Sequence, residues 1–196
     1  DIWPIEGWRV ALLLTALPAI YAVYIRVKLP DSPQFMVKEV SKKRSVFQNI
    51  ADVWSKEYAK STFMMWILWF AVVFSYYGMF LWLPSVMVGK GFDLISSFKY
   101  VLIMTLAQLP GYFTAAWFIE KFGRKFVLVT YLIGTAASAL VFGNAETVGV
   151  LLASGMFLSF FNLGAWGALY AYTPEQYPAV IRGTGAGMAA AVGRIG

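Results

Sequence analysis

The residue with the most chemistry to offer is Arg194, twelve positions beyond Arg182 in a run rich in glycine and alanine. In a helix starting at a membrane face, a rise of about 1.5 Å per residue carries it roughly 18 Å inward, near the bilayer centre. A buried charge at that depth is expensive and faces a polar path or a partner. Its guanidinium is a planar fork of donors that matches a carboxylate bidentately. Arg194 is therefore expected to anchor a carboxylate, the structural alternative being an ion pair with an acid outside this chain. A second group is Phe74-Ser75-Tyr76-Tyr77-Gly78, where Tyr76 and Tyr77 offer hydroxyls and Gly78 loosens the helix. A third is Asn162, Trp166 and Tyr170, spaced i, i+4 and i+8 so that all three share one helix face. Such a polar and aromatic stripe suits a flat acid, although rings at this spacing also pack or face lipid. Gln108, beside Pro110 and Gly111, is a fourth polar candidate in a stretch whose neighbours predict a bend.

A different set of charges stands in short turns: Glu120, Lys121, Arg124 and Lys125 in one, Glu175 and Arg182 in another. Acids beside bases at helix ends can form inter-helix networks that close one side of a bundle and break when it opens. The plainer alternative is that they cap helix ends and set topology. Gly123 is expected to make the turn, since glycine tolerates left-handed backbone.

These residues must be positioned by elements that a soluble domain would not contain. Of 196 residues 60% are apolar and 13% charged, against roughly 45 to 50% and ~25% in soluble domains. The charges are gathered into islands: residues 61–89 and 147–174 carry none, nor do 100–119 or 126–145. Each run is long enough for a spanning helix, which needs about 20 residues. Residues 10–25, extended by the interfacial aromatics Trp8 and Tyr24, read as a further span, and the run after Arg182 as the start of one more. The chain opens at Asp1 without a Met and stops two residues past Arg194, so it reads as part of a longer protein.

The chain has no Cys and no His, which removes disulfides, thiol nucleophiles and imidazole metal sites; no cofactor or metal is implied. An enzyme is disfavoured, because no paired acid and base occurs within the spans. The net charge of +6 does not indicate nucleic acid, since the basic residues flank apolar spans. Residues 26–60 hold eight Lys and Arg and residues 120–125 three, whereas 144–147 hold none. The first two connections are therefore expected on the cytoplasmic side, with residues 85–99 and 144–147 outside. Within the long connection, Val46, Phe47, Ile50, Val53 and Trp54 recur at helical spacing among lysines, predicting an amphipathic helix on an anionic lipid surface.

Three motifs carry a resemblance. Pro30-Asp31-Ser32-Pro33-Gln34-Phe35-Met36 resembles the Pro-Glu-Ser-Pro-Arg-Trp-Leu element of the sugar porters, Glu120-Lys121-Phe122-Gly123-Arg124-Lys125 resembles an Asp-Arg-x-Gly-Arg-Arg turn, and Pro174-Glu175-Gln176-Tyr177-Pro178 with Arg182-Gly183 resembles Pro-x-Glu-x-x-Pro-x-x-x-Arg-x-x-Gly. In that order, all on the side expected to be cytoplasmic, they are similar to the major facilitator superfamily over essentially the whole chain. The resemblance implies an all-α, polytopic integral membrane bundle, the C-terminal half of a twelve-helix fold. Residues 1–27 would be its sixth transmembrane helix, 28–60 a cytoplasmic linker, and 61–196 the later half, with spans near 62–84, 99–119, 126–143, 148–172 and from 183 onward. It also implies a midplane substrate site between two halves and alternating access. The organic-anion branch, similar to the sugar porters, carries an arginine at the position of Arg194 as an anion contact.

The expected function is thus a secondary transporter of a small organic anion, an aromatic monocarboxylate such as nicotinate or benzoate, proton-coupled and monomeric in the bacterial cell membrane. The titrating carboxylate would lie outside this chain, because none of its spans holds Asp or Glu. A sugar:proton symporter is the alternative, favoured by the Pro-Asp-Ser-Pro element and disfavoured by the absence of a Gln-Gln-x-x-Gly-x-Asn pattern in the second span. A non-transporting receptor on the same helices is the alternative of another class.

Overall fold

The computed structural model describes residues 7–28, 45–89, 91 and 93–196. Every element of secondary structure among them is helical. The chain divides into residues 1–44 and 45–196, each taken by itself. The motif at residues 30–36 and the basic residues Lys38, Lys42, Lys43 and Arg44 lie outside the described residues.

In the first unit the expected single span is two helices, α1 Gly7–Leu14 and α2 Leu17–Lys28. The cause is Pro18: with no N–H it cannot donate to Leu14, and the chain tightens to i→i+3 bonds from Thr15 and Ala16 to Leu12 and Leu13. Thr15 Oγ1 adds a 2.6 Å hydrogen bond to the Leu12 carbonyl.

The second unit holds α3 Val46–Val53, α4 Ala59–Phe80, α5 Leu83–Gly89, α6 Leu94–Leu106, α7 Gln108–Phe122, α8 Arg124–Gly143, α9 Val148–Tyr172, a 3-10 turn Thr173–Gln176, and α10 Arg182–Gly193. Four stretches are long and apolar enough to cross a membrane: α4, α6 with α7, α8, and α9 with its 3-10 turn. Helix α6 is parted from α7 at Ala107, three residues before Pro110, whose missing N–H leaves the Leu106 carbonyl without its helical donor. Between α7 and α8, Gly123 sits at φ +83°, a conformation open to glycine and strained for other residues.

Helix α9 is the hub, packing against α8, α7, α6 and α4, while α10 lies along α4 and touches α3. Its buried residues, from Leu151 through Ser159 and Asn162 to Leu169, cover a broad face, while Val150, Met156, Phe157 and Tyr170 are exposed. The opposite pattern holds outside: Phe113, Trp117, Ile133 and Leu140 are exposed, as expected of helices whose solvent is hydrocarbon. The basic end is closed by Val53, Tyr177 and Ile181 with Tyr58 and Met188. Helix α3 therefore differs from a purely lipid-lying helix. Phe47 (82% exposed) and Val46 face outward, but Val53 is fully buried against the bundle.

Candidate functional site

Three helices converge on Arg194. It caps α10 immediately after the buried Gly193, where a Cβ would stand 3.1 Å from Val73 and 3.2 Å from Trp69 of α4. That close approach lets the arginine reach along α4 and donate from Nη1 to the Tyr77 hydroxyl at 2.8 Å. Tyr77 touches Tyr76 edge-on at 5.5 Å and Trp166 of α9 at 6.3 Å, and Tyr76 meets Trp166 at 5.0 Å. Trp166 in turn stacks on Tyr170 at 6.3 Å and 27°. Two clusters far apart in sequence thus form one chain of aromatic contacts that meets a guanidinium at the Tyr77 hydroxyl. Arg194 was expected to be buried; within this chain it is exposed, as is Tyr170, while Tyr76, Tyr77 and Trp166 are half-buried. The site is an open face of the bundle rather than a sealed pocket.

Behind the rings, Asn162 is 2% exposed and donates from Nδ2 to Ser75 Oγ at 3.1 Å, and the Ser75 hydroxyl donates to the Val72 carbonyl at 2.9 Å. Asn162 Oδ1 remains buried without a partner. Gln108 does not join this group: among the described residues no hydrogen bond or ring contact links it there, and its Nε2 is buried and unpaired. Ser75 and Trp69 are the residues that sequence reasoning did not assign. Trp69 packs on Tyr170 at 4.8 Å and donates from Nε1 to Thr173 Oγ1 at 2.9 Å, tying the aromatic surface to the 3-10 turn.

At the basic end the expected charge network is narrower than its sequence. Arg124 pairs with Glu175 across the bundle, joining the two charged turns. Arg182 instead donates from Nε to the Tyr177 carbonyl at 3.4 Å. Glu120 and Lys125 are exposed and form no ion pair among the described residues. Lys121 lies 5.2 Å from the Trp117 ring, with its stem along apolar surface. A second connection runs inside: Tyr177 donates to Thr62 Oγ1 at 3.2 Å and Thr62 to the Val53 carbonyl at 2.9 Å, so α3, α4 and the turn before α10 share one chain of hydrogen bonds.

The long apolar helices define a multi-pass membrane protein, one face of which carries an arginine and a chain of aromatic rings. The chain belongs to the Major Facilitator Superfamily, whose family model matches residues 4–196. Over 98% of its length it is 64% identical to a Bacillus subtilis protein provisionally named niacin/nicotinamide transporter NiaP, of which it covers 48%. It is 46% identical, again over 98% of its length, to the niacin transporter NiaP of Acinetobacter baylyi, of which it covers 50%. At 25% identity the whole chain also aligns with 44% of a synaptic vesicle 2-related protein of Xenopus laevis. The chain spans about half the length of the curated relatives it matches.

Proposed function

We propose that this chain is the later half of a secondary transporter that carries niacin, a flat aromatic monocarboxylate, across the bacterial cell membrane by alternating access. The observation that carries the reading is the exposed Arg194 guanidinium, held by Tyr77 beside the rings of Tyr76, Trp166 and Tyr170. A carboxylate takes the fork and a heteroaromatic ring lies against the aromatic faces. The names of the two bacterial relatives support that cargo. In this reading α1 and α2 form the sixth transmembrane segment, α4 the seventh and α10 the start of the eleventh, with the residues between α2 and α4 as the cytoplasmic linker. Gln108 contributes no contact to cargo in this arrangement.

The Arg124–Glu175 pair is the cytoplasmic gate contact, with Gly123 setting the turn and Arg182 fixing the loop before α10. Both charged side chains are more than two-fifths exposed, and such pairs contribute only about 0–1 kcal/mol. A weak contact suits a latch that opens once per cycle. Coupling to protons and a monomeric carrier in contact with membrane lipid complete the reading, the titrating acid lying outside this chain.

Uptake of radiolabelled nicotinate, benzoate and glucose into cells expressing the full-length protein tests it. Nicotinate should enter and Arg194→Ala should abolish its binding. Entry of glucose alone would overturn the assignment in favour of a sugar symporter, and saturable nicotinate binding without flux would make the protein a receptor.

A further inference from the structure

The same site has a second electrostatic character that a simple anion does not use. From Tyr77, whose hydroxyl holds the guanidinium, a chain of rings runs through Tyr76 and Trp166 to Tyr170 with successive centroid distances of 5.0 to 6.3 Å. Tyrosine and tryptophan faces carry negative potential and attract a cation within about 6 Å of the centroid, more strongly when water is excluded. Helices α4, α9 and α10 contain no Asp or Glu, so on these helices only ring faces and neutral oxygens can hold a positive group. Tyr77 touches both features: its hydroxyl takes the Arg194 hydrogen bond and its ring meets Trp166 at 6.3 Å. The fork for a carboxylate and the faces for a cation are therefore separated by a single tyrosine.

We propose that the site is built for zwitterions, namely pyridinium carboxylates in which the carboxylate sits on Arg194 and the positively charged ring, N-protonated or N-alkylated, lies on the Trp166 and tyrosine faces. The inference rests on the Arg194 anchor proposed above and extends its cargo to permanently charged N-alkylpyridinium carboxylates. An electron-poor ring is the better partner for electron-rich faces, so benzoate is the poorest ligand of the series. Because nicotinate gains its ring charge only by protonation, its affinity rises as pH falls. The N-methylated ligand keeps its charge and shows no such rise.

The test is binding to the purified full-length protein, using N-methylnicotinate, nicotinate and benzoate as probes between neutral and mildly acidic pH. At neutral pH N-methylnicotinate should bind at least as tightly as nicotinate and on the order of tenfold more tightly than benzoate. Trp166→Leu should remove most of that preference by weakening N-methylnicotinate far more than benzoate, and Trp166→Phe should keep part of it. Nicotinate binding with no binding of N-methylnicotinate overturns the zwitterion site and leaves the niacin reading intact. N-methylnicotinate binding without nicotinate does the reverse. Failure of both ligands overturns both readings.

Discussion

The basic end of the bundle and its middle handle polarity differently. At the basic end most of the hydrogen bonds link one helix to another within the chain: Tyr177 to Thr62, Thr62 to Val53, Trp69 to Thr173, with the exposed Arg124 paired to Glu175, although Asn49 Oδ1 and Trp66 Nε1 are buried there without a partner among the described residues. In the middle, the Arg194 side chain makes one hydrogen bond among the described residues, although a guanidinium has about five N–H donors. Asn162 likewise keeps a buried oxygen unpaired. Hydrogen bonds that tie helices together suit a closed structural contact. A guanidinium with unused donors beside aromatic rings suits a transient ligand. Under the proposed function the basic end is thus the structural contact and the middle the recognition site.

The sharpest way to break this contrast is Arg194→Ala in the full-length protein. Losing the charged partner of a carboxylate costs about 3–5 kcal/mol when the pair is desolvated, so nicotinate affinity should fall roughly 100-fold or more. Because Arg194 is exposed and bonded only to Tyr77, the melting temperature should hardly move; a large fall would make the residue structural. The mirror experiment is Thr62→Val, which keeps shape but strands the Tyr177 hydroxyl and the Val53 carbonyl. It should cost about 1–3 kcal/mol of stability, read as a lower melting temperature in detergent, with nicotinate affinity unchanged.

A smaller effect is expected from Tyr77→Phe. The ring contacts with Tyr76 and Trp166 survive, but Arg194 loses its hydroxyl partner and its preset direction. A hydrogen bond of about 1 kcal/mol corresponds to roughly a fivefold weaker nicotinate affinity. Unchanged affinity in a calorimetric titration would show that Arg194 needs no orienting group.

Much of this architecture was legible because the bilayer makes sequence and depth nearly the same variable. Charge-free runs marked the long helices, and the twelve residues from Arg182 to Gly193, just before Arg194, form the helix they were expected to form. The spacing of Asn162, Trp166 and Tyr170 correctly put them on one helix, yet only packing could reveal that Trp166 meets Tyr76 or that Asn162 meets Ser75, 87 residues away. The interruption between α1 and α2 was signalled by Pro18, but apolar content dominated the reading. The exposure of Arg194 was not legible either, since depth along a helix says nothing about which face of the bundle a residue occupies. Among the charged turns, sequence offered four cations for two acids. Geometry selected Arg124 for Glu175 and left Glu120 in solvent, because the turns are short and only one pair is in reach.

That selected pair supports the finest test. If Arg124–Glu175 is a latch, Glu175→Gln should alter how often the basic end opens while leaving the Arg194 site intact. An exposed pair worth about 0–1 kcal/mol can shift an open-to-closed ratio by no more than about fivefold. Transport rate should therefore change severalfold, with nicotinate affinity measured in the detergent-solubilised protein changing by less than that. The swap Arg124→Glu with Glu175→Arg separates a latch from mere helix capping. A latch needs only opposite charges facing each other, so the double variant should recover much of the rate that either single variant loses. Helix-end electrostatics act on each residue alone, and the native signs oppose both dipoles, Arg124 opening α8 and Glu175 following α9; under that role neither single variant should lose rate and the double variant should show no rescue.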